Sequence, residues 1–182
     1  MEMSAKEREV LANRFTDDNP LRILLLTMSD RANEGVYEDK SGKRLRFHVD
    51  QLLSVTELGG DTVPKILPDD RKQLHDELAA AASGAANLVI TTGGTGVGPR
   101  DVTTDVVVEM ADKTIPGVME AIRMKYATDK PCALLSRSVA AILGSTLVYT
   151  LPGSSKGVDE YMSELVKSIP HTLCVLHELN LH

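Results

Sequence analysis

Three short runs of apolar residues, each followed at once by polar or glycine-rich residues, most strongly constrain how this chain can fold. They are LRILLLTMSD (21–30), NLVIT (87–91) and TLVYTL (146–151). Continuous apolar runs of this length are typical of strands that are buried on both faces of a parallel sheet. Segments with helical spacing lie between them. The sequence therefore predicts an α/β fold, a three-layer, open and mostly parallel sheet with helices on both faces.

Two further strands and six helical segments complete the predicted order of elements. The strands are DTVPKIL (61–67) and CALLS (132–136). We expect Gly59 and Gly60 to end the helix before the first of these strands, and Pro170 to break the last helix. The helices are predicted from their apolar spacing at residues 4–15, 42–58, 68–82, 105–112, 117–127 and 157–179.

The first twenty residues differ from the rest of the chain. Ser4, with Glu7 three positions later, forms a capping-box pattern for a short helix, and a polar stretch that ends in proline closes it. The segment carries acids and no apolar core, so it lacks the pattern of a signal peptide. We predict a helical appendage over residues 1–20 and one domain over residues 21–182.

Composition argues against several classes of function. The net charge is −6, from 26 acidic and 20 basic residues, which speaks against nucleic-acid binding because that needs a basic face. No apolar run approaches the roughly 20 residues that span a bilayer, so we predict no membrane segment. Cys132 and Cys174 lack CxxC spacing, and we expect both to be small buried hydrophobes in a reducing cytoplasm.

A polar loop directly follows each of the five predicted strands. Ligands of open parallel sheets bind at the carboxyl ends of the strands, so these loops should meet at one edge. Their convergence predicts a ligand site there. The loops are SDRANEG, LPDD, TTGGTG, LSRS and LPGSS.

The glycine-rich loop at residues 93–98 lies at the centre of that predicted site. It matches neither the Walker A pattern, since no Gly-Lys-Ser/Thr follows, nor the dinucleotide fingerprint, since Pro99 stands at the sixth position. Two interpretations stay open. The backbone N–H groups could form a nest for a phosphate or pyrophosphate. Alternatively, the glycines could only allow a tight turn with positive φ angles.

Carboxylates stand close to this loop in the sequence. Asp101 and Asp105 flank the start of the next helix, and Asp69 follows the second strand. Asp69 and Asp105 could each serve as a helix cap or a first-turn acid, while Thr103 or Thr104 could cap in place of Asp101. Two carboxylates beside a phosphate-binding loop also suit Mg²⁺, which prefers oxygen ligands and bridges phosphate groups.

Cations and hydroxyl groups on the loops could hold an anion on this acidic chain. Arg100 could pair with Asp101 or contact a ligand phosphate. Arg137, flanked by hydroxyls in LSRS (135–138), suits a phosphate held through several hydrogen bonds. The PGSS turn (152–155) could receive an anion or start a helix.

Together these loops resemble those of the molybdenum-cofactor biosynthesis family, in particular its molybdopterin adenylyltransferases. The resemblance covers about residues 21–170. It implies a molybdopterin-binding-like fold and an enzyme that transfers AMP from Mg-ATP to the terminal phosphate of molybdopterin, releasing pyrophosphate. It also implies a homotrimer that passes its product to a molybdate-inserting partner. The matching segments are SDRANEGVYEDKSG, ILPDD, LVITTGGTGVGPRDVTTD, IPG and LLSRSVAAILGSTLVYTLPGSSK.

The resemblance also assigns roles by position. Asp69 and Asp101 match the acidic residues of catalysis and metal–nucleotide handling, so both are candidate Mg²⁺ ligands. The nucleotide and phosphate side is expected at Ser29, Asp30, Gly93, Gly94, Thr95, Gly96 and Arg100. The pterin side is expected at Ser136, Arg137, Ser138, Pro152, Gly153 and Ser154.

Two other functions stay open. A paralogous branch with the same fold and GGTG loop would bind the pterin without turnover. The fold also resembles a scaffold or receptor-clustering module found in larger proteins. The segment PRDVTTD (99–105) favours the active branch, and the single-domain length speaks against the scaffold.

Overall fold

A mixed sheet runs through the structure, a computed structural model that describes residues 3–181. Residues 1 and 2 of the predicted appendage, and residue 182 of the predicted domain, lie outside the described residues. Within that range the sheet has six strands. They are β1 (Leu21–Met28), β2 (Gly60–Leu67), β3 (Leu88–Thr92), β4 (Lys113–Thr114), β5 (Ala140–Leu143) and β6 (Thr146–Leu151).

Four neighbouring strands of this sheet are parallel. The spatial order is β2-β1-β3-β6-β5-β4, and the pairs β1–β2, β1–β3 and β3–β6 run in the same direction. In the centre Leu25 lies opposite Ile90, which in turn lies opposite Tyr149. β5 and β4 are antiparallel and form one edge. The prediction of an open, mostly parallel sheet is confirmed.

Helices connect the strands and cover the sheet. Two irregular turns accompany them, a π-helical turn after the fourth helix (Ala81–Ala85) and a 3₁₀-helix (Pro131–Leu135). The helices are α1 (Ala5–Arg14), α2 (Asp30–Asn33), α3 (Lys40–Thr56), α4 (Arg71–Ala80), α5 (Thr103–Met110), α6 (Pro116–Ala127), α7 (Ser155–Leu165) and α8 (Ile169–Leu176).

Alternate side chains of the central strands enter two separate cores. Ile23 and Leu25 of β1 pack with α1, α3, α6, α7 and α8 on one face of the sheet. Leu24 and Leu26 pack with α4 and α5 on the other. Since successive side chains of a strand point to opposite faces, one continuous apolar run can serve both cores. The predicted three-layer arrangement is therefore confirmed.

The prediction of a strand at residues 132–136 was wrong. This segment lies in the 3₁₀-helix Pro131–Leu135, and the strand is β5, which falls in a stretch predicted as a connection. A short apolar run has no periodicity that separates helix from strand, and Pro131 suits the first turn of a helix because it lacks an N–H. LSRS therefore precedes a strand. Because β5 is antiparallel to β6, its amino end still lies at the carboxyl edge of the parallel strands.

Smaller expectations were met in part. Pro170 stands in the first turn of α8 and separates it from α7, as predicted. α3 ends at Thr56, ahead of the two glycines, because Glu57 adopts a left-handed conformation with φ of 57°. Cys174 is buried, whereas Cys132 is exposed and contradicts the expectation for it. Within residues 3–181 no helix combines the length and apolar character needed to cross a membrane.

The N-terminal helix α1 packs against the body of the chain. Its predicted capping box is confirmed, since the Ser4 hydroxyl accepts a hydrogen bond from the Glu7 N–H (3.2 Å) and the Glu7 carboxylate accepts one from the Ser4 N–H (2.8 Å). Leu11 and Phe15 are buried in the larger core, where α1 lies on α8. The division into an appendage and a domain stays a prediction.

We expect Leu11→Ala to lower the free energy of unfolding by about 2–5 kcal/mol, because it leaves a cavity at a fully buried position. The matched control is Glu9→Ala on the exposed side of the same helix, whose ion pair with Lys6 is solvent-exposed and should matter little. The measurement is urea unfolding of both variants. Equal, near-zero effects would show that α1 is a separable appendage.

Candidate active site

A cleft of about 560 Å³ lies at the carboxyl edge of the parallel strands. Its wall brings together the ends of β1, β2, β3 and β6 and the segment that leads into β5. All the predicted site residues line it except Asp30, Arg137 and Ser138, which stand directly behind the wall. The predicted residues in the wall are Ser29, Asp69, Gly93, Gly94, Thr95, Gly96, Arg100, Asp101, Ser136, Pro152, Gly153 and Ser154.

Three strand ends meet at Gly93. Its φ is +101°, and a Cβ there would collide with the carbonyl oxygen of Met28 at the end of β1. Gly94 follows with φ of +65°, and a Cβ there would collide with the Thr103 hydroxyl. Gly153, after β6, packs against the Gly93 backbone. The glycines thus meet the requirement for a tight, positive-φ turn, and the phosphate nest stays a prediction.

Asp101 closes the glycine-rich loop on itself. Its carboxylate accepts a hydrogen bond from the Gly98 N–H at 2.8 Å, while its own N–H donates to the Gly98 carbonyl at 3.0 Å. The alternative in which a threonine caps the next helix was wrong. Within residues 3–181 the hydroxyls of Thr103 and Thr104 are buried without a hydrogen-bond partner, and Val102 at the N-cap supplies none.

Asp30 and Asp69 bind each other's backbone across the ends of β1 and β2. The Asp69 N–H donates to the Asp30 carboxylate (3.0 Å), and the Asp30 N–H donates to the Asp69 carboxylate (3.3 Å). The Arg100 guanidinium forms an ion pair with Asp30. Arg100 therefore pairs with Asp30 and not with Asp101, and its predicted contact with a ligand phosphate stays a prediction.

The pKa of the Asp69 carboxyl is raised above its ordinary value. Burial is the largest cause, and the negative charges of Asp30 and Asp101 add to it, while the Asp30 N–H and the Arg100 charge act in the opposite direction. The helix-cap interpretation of Asp69 was wrong, because Asp70 caps α4 by accepting from the Gln73 N–H at 2.8 Å. Asp69 therefore carries a charge that its surroundings disfavour, which is common at functional sites.

Arg137 is held by the protein itself. Its Nε donates to the Gly96 carbonyl and its Nη2 to the Asp101 carbonyl, both at 2.6 Å. The Asp105 carboxylate accepts from Nη1 at 2.6 Å and from Nη2 at 3.2 Å. Asp105 is the predicted first-turn acid of α5, and the hydrogen bond from Arg137 lowers its pKa. These contacts engage four of the five guanidinium N–H groups, so the predicted contact of Arg137 with a pterin phosphate stays a prediction.

The remaining hydroxyl groups of the predicted pterin side divide between the cleft and the layer behind it. Ser136 lines the cleft, and its Oγ lies 2.9 Å from that of Ser138, which is buried. The Tyr161 hydroxyl donates to the Ser136 Oγ at 3.2 Å. In the PGSS turn Ser154 is the cap of α7, where it accepts from the Gly157 N–H at 3.0 Å.

Six residues of the wall were missed by sequence reasoning. They lie at the end of β1, in the loops before α3 and after β3, in the first turn of α3 and in the 3₁₀-helix. Tyr37 comes from the loop before α3, and its hydroxyl lies 3.4 Å from the Ser29 Oγ. Val97 and Leu135 are exposed apolar side chains that could cover a flat ring. One sequence signal could have revealed part of this wall. Asp39 is the N-cap of α3, so that helix begins earlier than the predicted start at residue 42. The missed residues are Met28, Tyr37, Ser41, Val97, Cys132 and Leu135.

The carboxylates of the cleft suit a metal ion that arrives with a nucleotide. Within residues 3–181 no group of three or more acidic, histidine or cysteine side chains forms a complete metal cage. Mg²⁺ characteristically takes one or two carboxylates and completes its shell with substrate phosphates and water. Asp69 and Asp101 supply oxygen donors. Burial raises the Asp69 pKa most, the charges of Asp30 and Asp101 add to it, and a cation would relieve that repulsion.

An open α/β sheet whose strand ends present a glycine turn, carboxylates and hydroxyls is typical of proteins that bind a ligand at the carboxyl edge of the sheet. Residues 24–171 match the family model described as "Probable molybdopterin binding domain". The chain belongs to this family.

Individual relatives agree. The chain is 36% identical over 143 residues to the molybdopterin adenylyltransferase of Escherichia coli (strain K12), covering 78% of this chain and 72% of that one. It is 35% identical over 153 residues to the molybdopterin adenylyltransferase of Helicobacter pylori (strain J99), covering 83% and 85%. The crystal structure of the molybdopterin biosynthesis enzyme MoaB from Thermus thermophilus superposes with a TM-score of 0.76 at 29% identity, covering 89% and 99%.

We expect Asp69→Asn, without metal or nucleotide, to be at least as stable as the unchanged protein near pH 7. A carboxyl with a raised folded-state pKa binds its proton more tightly in the folded protein, so stability is lost as the pH rises through that pKa. Asparagine avoids this loss, and its advantage should disappear at low pH. The measurement is the melting temperature between pH 4 and pH 8.

The neighbouring acid provides the control. Asp70→Ala removes a helix cap and should lose about 0.5–2 kcal/mol of stability at pH 7. An Asp69→Asn variant that is destabilised as much as Asp70→Ala would contradict the assignment of the cap to Asp70 and of the unfavourable charge to Asp69.

Proposed function

We propose that this protein transfers the adenylyl group of Mg-ATP to the terminal phosphate of molybdopterin and releases pyrophosphate. One observation carries the proposal: the glycine turn, Asp69 and Asp101 meet in a single cleft at the carboxyl edge of the sheet. Relatives that bear the name molybdopterin adenylyltransferase, matched over most of the chain, support it.

The cleft has two sides that suit the two substrates. The nucleotide side would comprise the loop from Gly93 to Gly96 with Ser29, Arg100 and Asp30 behind it. The pterin side would comprise Ser136, with Arg137 and Ser138 behind it, and the turn from Pro152 to Ser154, and both Ser136 and this turn line the cleft. The exposed apolar side chains of Val97 and Leu135 offer a surface for a flat ring.

The reaction requires little proton transfer from the protein. An oxygen of the molybdopterin phosphate attacks the α-phosphorus of ATP, and the bond to the bridging oxygen breaks, so that pyrophosphate leaves with the electron pair. A phosphate monoester is already mostly dianionic near pH 7, since its second pKa is about 6, and needs no general base. This agrees with a wall in which, among residues 3–181, no histidine takes part. The protein's contribution is positioning and electrostatics.

Mg²⁺ bound with the nucleotide would supply positive charge that neutralises the charge growing on the departing pyrophosphate. Asp69 and Asp101 are the residues that would hold it. Their carboxylates stand on different loops, after β2 and after β3, so they could reach a bound triphosphate from two directions.

The proposal includes a cellular setting. We propose a cytoplasmic homotrimer that passes adenylylated molybdopterin to a molybdate-inserting partner protein. The resemblance of the loops to those of the molybdenum-cofactor biosynthesis family implies this setting. Sedimentation equilibrium of the purified protein tests the trimer, and a monomer at micromolar concentration would contradict it.

The direct test of the function is pyrophosphate release with Mg-ATP and molybdopterin, together with titration calorimetry of each substrate. Release that depends on both substrates is the expected result. Tight binding of molybdopterin without release would instead identify a pterin-binding protein without turnover. Binding of neither substrate would overturn the proposed function altogether.

We expect Asp69→Asn and Asp101→Asn each to reduce kcat by about 10²-fold, the scale of removing one preorganised electrostatic group. Molybdopterin affinity should change much less, because the carboxylates act on the triphosphate and its transition state. Asparagine keeps the oxygen that accepts from Gly98 or Asp30, so the loops should keep their form. Pyrophosphate release at saturating Mg-ATP measures the effect.

The control for these variants is Asp70→Asn, since asparagine also caps helices and Asp70 lies outside the cleft wall. It should turn over like the unchanged protein. Wild-type rates for both Asp69→Asn and Asp101→Asn would show that the site has been assigned to the wrong carboxylates.

A further inference from the structure

Arg137 joins the two sides of the cleft. The Arg137 backbone N–H donates to the Thr95 carbonyl at 2.8 Å, and the guanidinium donates to the carbonyls of Gly96 and Asp101. The segment on the pterin side is therefore bonded directly to the loop on the nucleotide side at three points along the chain. Asp105 holds the guanidinium in place from the first turn of α5.

We propose that Arg137 and Asp105 are positioning residues that hold the 95–101 loop in the form that aims the Asp101 carboxylate, rather than residues that bind substrate. The inference rests on the proposed function. It adds Asp105 to the functional residues and gives Arg137 a role different from the direct pterin contact expected from its sequence position.

The 95–101 loop is held from outside by the ion pair of Arg100 with Asp30 and by the contacts of Arg137. It contains Gly96 and Gly98, whose backbones have wide conformational freedom, and Val97 at its tip is exposed. Its internal closure is the pair of hydrogen bonds between Gly98 and Asp101. Arg137 adds contacts to the carbonyls on either side of that closure, and thereby fixes the peptide from which the Asp101 side chain projects.

The chemistry of arginine suits this role. A planar guanidinium can contact one carboxylate through a fork and still direct other N–H groups to carbonyl oxygens. Lysine could keep the ion pair with Asp105 but could not also reach the Gly96 and Asp101 carbonyls in fixed directions. Asparagine at position 105 would remove the charge that holds the guanidinium, while keeping nearly the same volume.

The test compares Arg137→Lys and Asp105→Asn with Asp105→Glu and Glu109→Gln. Asp105→Glu keeps a carboxylate and is the conservative rescue. Glu109→Gln is the matched control, because Glu109 stands on the same helix and also pairs with an arginine, Arg71, but lies outside the cleft wall. The measurements are kcat and KM for both substrates, and hydrogen–deuterium exchange of the amides in residues 93–101.

We expect Arg137→Lys and Asp105→Asn to lower kcat by about 10- to 10²-fold, as for a catalytic group displaced by about an ångström. The KM values should stay within about three-fold of those of the unchanged protein, because the ground-state contacts remain. The loop amides should exchange faster in both variants. Asp105→Glu should recover most of the rate, and Glu109→Gln should behave like the unchanged protein.

Three results would overturn the proposal. Unchanged exchange of the loop amides in Arg137→Lys and Asp105→Asn would show that the network does not hold the loop. A raised KM for molybdopterin with kcat retained at saturation would assign Arg137 to direct substrate contact. A Glu109→Gln variant as slow as Asp105→Asn would indicate a general effect of charge on α5. Failure of the proposed function shows separately, as absence of pyrophosphate release in the unchanged protein, and the exchange measurement still decides the role of the network.

Discussion

The close approach of three parallel strand ends at Gly93 is the constraint on which the rest of the cleft depends. β1, β3 and β6 pair in parallel, so their carboxyl ends reach the same edge. The chain turns there with a positive φ, against the Met28 carbonyl on one side and Gly153 on the other. A side chain at Gly93 would push these ends apart. The loops that carry Asp101 and Ser154 begin at this junction. The distance between these two loops therefore depends on how closely the strand ends approach at Gly93.

Charge in the cleft is arranged locally, against the net charge of −6. Arg100 pairs with Asp30 and Arg137 with Asp105, and in the proposed function Asp69 and Asp101 are the acids that a nucleotide-bound cation would neutralise. Neighbouring acids have opposite physical roles. Asp70 caps a helix and stabilises the fold, whereas Asp69 is partly buried, and this burial together with the charges of Asp30 and Asp101 disfavours its ionised form. In the proposed function this unfavourable charge is the one that holds the cation.

Prediction from the sequence worked where a local pattern had only one physical solution. Continuous apolar runs such as β1 and β3 are typical of strands buried on both faces of a parallel sheet, and with the helical segments between them they predicted the layers and the edge at which the loops meet. Prediction failed at CALLS, because such a run without helical spacing or alternation around it fits a 3₁₀-helix or a strand equally well. It also missed β5, whose Ala140 and Ala141 have weak strand propensity, although both are buried and pair with β6.

The sequence by itself determined the fold class, the glycine turn and most of the residues around the cleft, since these follow from periodicity and from backbone requirements at fixed positions. Only the tertiary structure decided which charges meet. Arg100 is adjacent to Asp101 in the chain but pairs with Asp30, and Arg137 pairs with Asp105, which lies 32 positions earlier. Such partners depend on where separate loops end in space. Side-chain reach is a few ångströms, so sequence distance carries no information about them once the chain has folded back on itself.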